Sequence, residues 1–202
     1  MAGPALLDLD PSATVDLSRR SLKRHLEHTI PDVAKGSAWG RVRVHRGVLR
    51  VEAQSPGMDS FLGVAIEEAA LGRREGGIPI GAVLVHRGAI IGRGHNRRVQ
   101  QRSAVLHGEM DALERAGRQP AAVYRESVMY TTLSPCAMCS GAILLYGIPH
   151  VVVGENQTFM GEEALLRTRG VRVDIVQDAR CVAMMQEFIA AHPELWNEDI
   201  GV

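Results

Sequence analysis

Two short motifs, His107-Gly108-Glu109 and Pro135-Cys136-Ala137-Met138-Cys139, set the strongest demand on how this chain folds. One imidazole and two thiols must meet at a single point although they lie far apart in the chain. Cys136 and Cys139 stand three residues apart, so one helical turn lets both converge on the same ion. His107, Cys136 and Cys139 are the expected ligands of one zinc ion per chain. Three protein ligands leave the fourth tetrahedral position to water, as in a catalytic rather than a structural site. Zinc lowers the pKa of such a water to about 7. Two thiolates cancel most of the ion's charge, which makes a nearby proton carrier more useful. Glu109 is two residues past His107 and is expected to face the open side, where a general acid–base typically contributes about 10²–10⁴ in rate.

The pattern around the motifs alternates helix and strand from Met58 onward. Apolar spacing at Phe61, Leu62, Ala65 and Ala69 predicts a helix over 61–73, stopped near Gly76-Gly77. Segments 80–85 and 89–94, joined by His86-Arg87-Gly88, read as an antiparallel hairpin. Helices follow at 107–116, 136–145, 162–168 and 178–191, the last stopped by Pro193, with strands at 127–131, 150–154 and 171–176. Strands separated by helices require crossovers and a sheet covered on both faces. The expected fold is therefore a three-layer α/β/α sandwich around a mixed five-stranded sheet. Both halves of the zinc pattern then fall at helix starts, where unpaired amides and partial positive charge favour thiolates. Pro135 suits such a start, because its missing N–H would have had no partner there.

Residues 1–57 differ from the rest and read as an extension of unassigned role, in part without fixed structure, with 58–202 as the deaminase-type zinc domain argued below. Both lysines lie in the extension, at 23 and 35. Val15 to His28 has the spacing of a short helix, and 41–44 with 48–51 alternates as a small hairpin. Met58 is an alternative first residue. Lys+Arg and Asp+Glu each total 23, and beyond Met58 acidic residues outnumber arginines. That balance argues against a polyanion partner. No apolar run reaches the roughly 20 residues that span a bilayer. Three cysteines, two of them in a CxxC, make no closed disulfide set and point to a reducing compartment, the cytoplasm. Cys181, among Val182, Ala183 and Met184, reads as a core thiol.

H-x-E joined to P-C-x-x-C is the signature of the zinc deaminases. Beyond it, EEAALG (67–72), EGGIPIG (75–81), GRGHN (92–96), YTTLSPCAMC (130–139), YGIP (146–149), VVGEN (152–156), TRG (168–170) and EDIG (198–201) resemble the fungal-type cytosine deaminases. The resemblance covers nearly all of 60–202 and none of 1–57. It implies zinc-dependent hydrolysis of free cytosine to uracil and ammonia, within pyrimidine salvage, by a homodimer. It implies that Asn96 pairs with the polar edge of the base, that Asp199 stands near the departing amine, and that Trp196, in a C-terminal lid, and Phe159 stack on the ring. Gly108 is placed to give its amide to the base's carbonyl oxygen, since glycine allows close approach. On the residues alone, Asn96 reads equally as a turn residue, Phe159 as a loop or core aromatic and Asp199 as a solvated tail residue; His95 reads as packing.

Other readings use the same motifs. Guanine, isoguanine or cytidine deaminases differ only in pocket shape. A tRNA adenosine deaminase would usually read HAE and needs a basic face for its RNA. A zinc-stabilised interaction module would have no use for a carboxylate facing an open position.

Overall fold

The structure, a computed structural model, describes residues 41–45, 48–52 and 58–202. The helix expected over 15–28 lies outside the described residues. The chain divides into two compact units at Ser55–Pro56. In the first, strands β1 (Arg41–His45) and β2 (Val48–Glu52) pair antiparallel, as their alternation predicts.

The second unit is built on five strands: β3 (Gly81–His86), β4 (Ala89–His95), β5 (Ser127–Leu133), β6 (His150–Glu155) and β7 (Arg172–Ile175). Their order across the sheet is β4-β3-β5-β6-β7. β3 pairs antiparallel with both β4 and β5, whereas β5, β6 and β7 pair parallel. Strands β4 to β7 therefore all run one way and β3 alone opposes them. That single reversal makes the sheet mixed. It also sends the chain out of β4, β5 and β6 at the same end, where α/β sheets carry their ligand crevices.

Helices cover both faces. α1 (Met58–Arg74) lays Phe61, Leu62 and Ala65 against Val83, Val85, Tyr130 and Val152. On the opposite face, α3 (Gly108–Ala116), α4 (Ala121–Arg125), α5 (Ala137–Tyr146) and α6 (Glu163–Thr168) pack on Ala82, Leu84, Met129, Val151 and Val153. The alternation of faces along β3 and β6 follows the two-residue period of a strand. Because both faces are covered, the run Val151-Val152-Val153 is wholly buried. This is the expected α/β/α sandwich with its mixed five-stranded sheet. Gly154 passes so close to Cys181 that an added Cβ would meet its sulfur. Cys181 is buried and its thiol is pushed up to about 12, chiefly by burial, which fits a core thiol.

Three helices go beyond the sequence reading. The one-turn α2 (Arg98–Gln101) and α4 are too short to leave a periodic signal. After α7 (Ala179–Ala191), Pro193 does end the helix, but it also opens the next, α8 (Pro193–Ile200), by occupying its first turn. A proline suits that place because its absent N–H would have no partner there. What reads as a tail is thus a docked helix, with Trp196 buried against Ile78, Ile80, Leu133, Met185 and Phe188.

Helix α5 carries Cys139, with Cys136 at its N-cap, and Ile143 anchors it with no exposed surface. Ile143→Ala is expected to destabilise the domain by about 2–5 kcal/mol, the usual cost of a truncated core side chain. Urea unfolding followed by circular dichroism checks this.

Candidate active site

His107 caps the start of α3, and Cys136 caps the start of α5. The two helices follow β4 and β5, which point the same way, so the topology delivers both caps to one end of the sheet. There the ligand atoms of His107, Cys136 and Cys139 lie within 4.8 Å of one another. Nδ1 is the imidazole atom that faces the thiols, 3.5 Å from Cys136 Sγ. Among the described residues this is the one group of three or more His, Cys, Asp or Glu side chains close enough to hold a metal.

The charges suit a soft divalent cation. A hydrogen bond from Cys139, opposed by burial and helped by His107, pulls the Cys136 thiol down to about 4. The same bond, with burial added, drives Cys139 well up. Binding zinc as thiolates requires both sulfurs to give up their protons. Burial works against a charged His107. The thiolate of Cys136 and the carboxylates of Asp199 and Glu109 outweigh it and raise the imidazole. Two sulfurs and one nitrogen form the donor set of three-ligand catalytic zinc.

Glu109, in the first turn of α3, is buried and lines the same recess as His107 and Cys136. Burial, then the charge of Cys136, raises its carboxyl above the ordinary range. Thr131 Oγ1 donates to Glu109 Oε1 at 3.0 Å and fixes one oxygen of the group. Gly108 lies between ligand and carboxylate, and an added Cβ would sit 3.1 Å from the Ile80 carbonyl, so the turn is tight.

The rest of the expected site gathers here too. Asn96 leaves β4 fully buried, and its Nδ2 donates to both oxygens of Asp199 at 3.1 Å. Its Oδ1 accepts from the amide of Arg98 at 3.1 Å, which sets the orientation of the carboxamide. Asp199 also lies 3.7 Å from His107 Nε2. Trp196 and Phe159 meet edge to face, with ring centroids 5.8 Å apart, and both line the recess with Leu133, Ser134 and Ile200.

Several supporting groups carry no sequence signal. Arg98 Nη1 donates to Asp199 Oδ1 at 2.9 Å and to the Glu198 carbonyl at 3.2 Å, tying α8 to the body. Ser134 donates to Glu163 at 2.9 Å and accepts from the Gly161 amide at 3.0 Å. Glu155 is wholly buried and accepts from the amides of Gln157 and Thr158 and from the Thr158 hydroxyl, which shapes the loop bearing Phe159. A lone arginine, serine or glutamate bonded to its own loop leaves no pattern to read. Of these, Ser134 and Glu155 fall inside the quoted YTTLSPCAMC and VVGEN segments, which gave them no role.

The chain matches the model of the cytidine and deoxycytidylate deaminase zinc-binding region over residues 57–155. A cytosine deaminase of Candida albicans is 52% identical over 141 residues, which span 69% of this chain and 94% of that relative. The chain belongs to the cytosine deaminase family. A tRNA-specific adenosine deaminase of Streptococcus pyogenes is more distant, 43% identical over 108 residues that span 52% of this chain and 67% of that protein. A solved guanine deaminase of Nitrosomonas europaea superposes with a TM-score of 0.54 at 21% identity, covering 91% of this chain and 99% of that one, and shows the shared fold. Members of the cytosine deaminase family use zinc chemistry, and the group His107, Cys136 and Cys139 supplies this chain's zinc site.

Cys139→Ala removes a donor that no neighbouring group replaces. Metal analysis of the purified protein is expected to show about one zinc per chain falling close to zero, because a three-donor site has none to spare.

Proposed function

We propose that this protein hydrolyses cytosine to uracil and ammonia, and that the recess formed by His107, Glu109, Cys136 and Asp199 is where it does so. The observation that carries this reading is Glu109, a buried carboxylate that shares one recess with His107 and Cys136 and is not a member of the ligand group. The Candida albicans cytosine deaminase, 52% identical over nearly its whole length, supports the choice of base.

A zinc ion held by His107, Cys136 and Cys139 would supply Lewis acidity, which brings the pKa of a water to about 7. Glu109 takes that water's proton and returns it to the ring nitrogen beside the attacked carbon. Its raised carboxyl matches this exchange, since a proton carrier works best with a pKa near the working pH. The new C–O bond forms at the aminated carbon, then the C–N bond breaks, and Glu109 delivers the second proton as ammonia leaves. The oxygen of the water ends as the new carbonyl.

Asn96 reads the polar edge of the base, and the Gly108 amide donates to its carbonyl oxygen. Asp199 accepts from the exocyclic amine, and so selects a base that carries one. Phe159 and Trp196 close on the ring faces. The recess encloses about 20 Å³, near the room one water needs, so α8 or the Phe159 loop must yield before a base enters.

The protein acts as a homodimer in pyrimidine salvage in the cytoplasm, where its thiols stay reduced. Leu145 is 79% exposed at the end of α5, beside Tyr146, which stacks on Tyr124 with centroids 4.6 Å apart. A groove shared with Met110 and Leu113 continues this apolar face, and a second copy is its occupant. Among the described residues no helix is long and apolar enough to cross a membrane.

Glu109→Ala is expected to keep its zinc while ammonia release from cytosine falls by about 10²–10⁴. Assays on cytidine, guanine, isoguanine and an adenosine-bearing tRNA anticodon stem run beside it. Greater turnover of any of these than of cytosine would replace the proposed substrate, and zinc without turnover would favour an interaction module. In sedimentation equilibrium, the wild type is expected at twice the chain mass and Leu145→Asp at the chain mass.

A further inference from the structure

His95 ends β4 directly before Asn96, is 1% exposed, and takes no part in the chemistry above. Its Nδ1 lies 2.9 Å from Glu68 Oε2 on α1, and its Nε2 lies 2.9 Å from Glu75 Oε2 just beyond that helix. Both ring nitrogens are thus engaged by carboxyl groups, one from each side. Glu68 is a carboxylate: burial opposes its charge, but His95 and Arg93, which also binds it, outweigh burial and lower it. Glu75 is 37% exposed and keeps contact with water. The remaining charged neighbour is Asp111 on α3, which accepts from the His95 backbone amide at 3.2 Å and is itself held by Arg97 and Arg115. The slot for the ring exists because α1 presents Gly72, where an added Cβ would stand 2.9 Å from the imidazole.

We propose that His95 is a positioning residue clamped between Glu68 and Glu75, and that this pin fixes the Asn96 carboxamide for the base. The coupling is short. Successive side chains of a strand point to opposite sides, so the ring and the carboxamide share one stretch of backbone. The Asn96 amide donates to the Ile80 carbonyl at 2.8 Å, and its side chain meets Asp199. A ring that loses one carboxylate moves the end of β4, and with it the group that reads the base. The proposal rests on the role of Asn96 given above.

The test uses zinc-loaded full-length protein labelled with 15N. In the wild type the Asn96 side-chain amide is expected to give one resolved pair of signals without substrate. Glu75→Gln keeps shape and polarity and removes the carboxylate that meets the ring. In that variant the Asn96 side-chain amide signal is expected to move. KM for cytosine should rise about five-fold, the scale of one hydrogen bond, with kcat and zinc content nearly unchanged. A Glu75→Gln variant with wild-type KM and Asn96 signal overturns the proposal. Zinc loss in that variant also overturns it, because the residue would then serve the fold as a whole. The Asn96 signal is read without substrate, so failure to turn over cytosine counts against the functional reading alone.

Discussion

Everything in this domain answers to one requirement, that an imidazole and two thiols approach to within 4.8 Å of each other and stay there. Groups that compete for protons do not gather unaided. The sheet meets the need by running β4 and β5 in the same direction on either side of β3, so that two helix starts arrive at one edge. Each start brings unpaired amides and partial positive charge, which favour thiolate and carboxylate alike. The single antiparallel strand in the sheet is therefore part of the site's construction.

The second constraint is enclosure. A proton carrier with a raised pKa must be dry, and Glu109 is dry because α8 and the Phe159 loop close over it. Both covers are fastened by polar groups. Asp199 holds Asn96 and Arg98, while Glu155 and Glu163 fix the loop that runs from β6 to α6. These fastenings tie a helix of eight residues to the end of the sheet that bears the site.

Much of this was legible in the sequence, for reasons that can be named. The ligand set reads clearly because metal geometry restricts both residue type and spacing. The strands read clearly because a covered sheet demands unbroken apolar runs such as Val151-Val152-Val153. The helix α8 was not legible, because Pro193 signals an ending and a beginning with the same chemistry. Arg98 was not, since nothing in a loop arginine announces a partner 101 residues away. His95 read as packing, which is half of what it does. Its two carboxylates stand 27 and 20 residues back in the chain, and only the fold shows that both reach one ring.

The central claim is that one zinc ion is gripped by two sulfurs and one nitrogen with its last position open. X-ray absorption at the zinc edge of the purified protein tests it most directly. The account predicts two sulfurs at about 2.3 Å and two lighter neighbours, one imidazole nitrogen and one water oxygen, at about 2.0–2.1 Å. A shell of four sulfurs, or of lighter atoms alone, would contradict it.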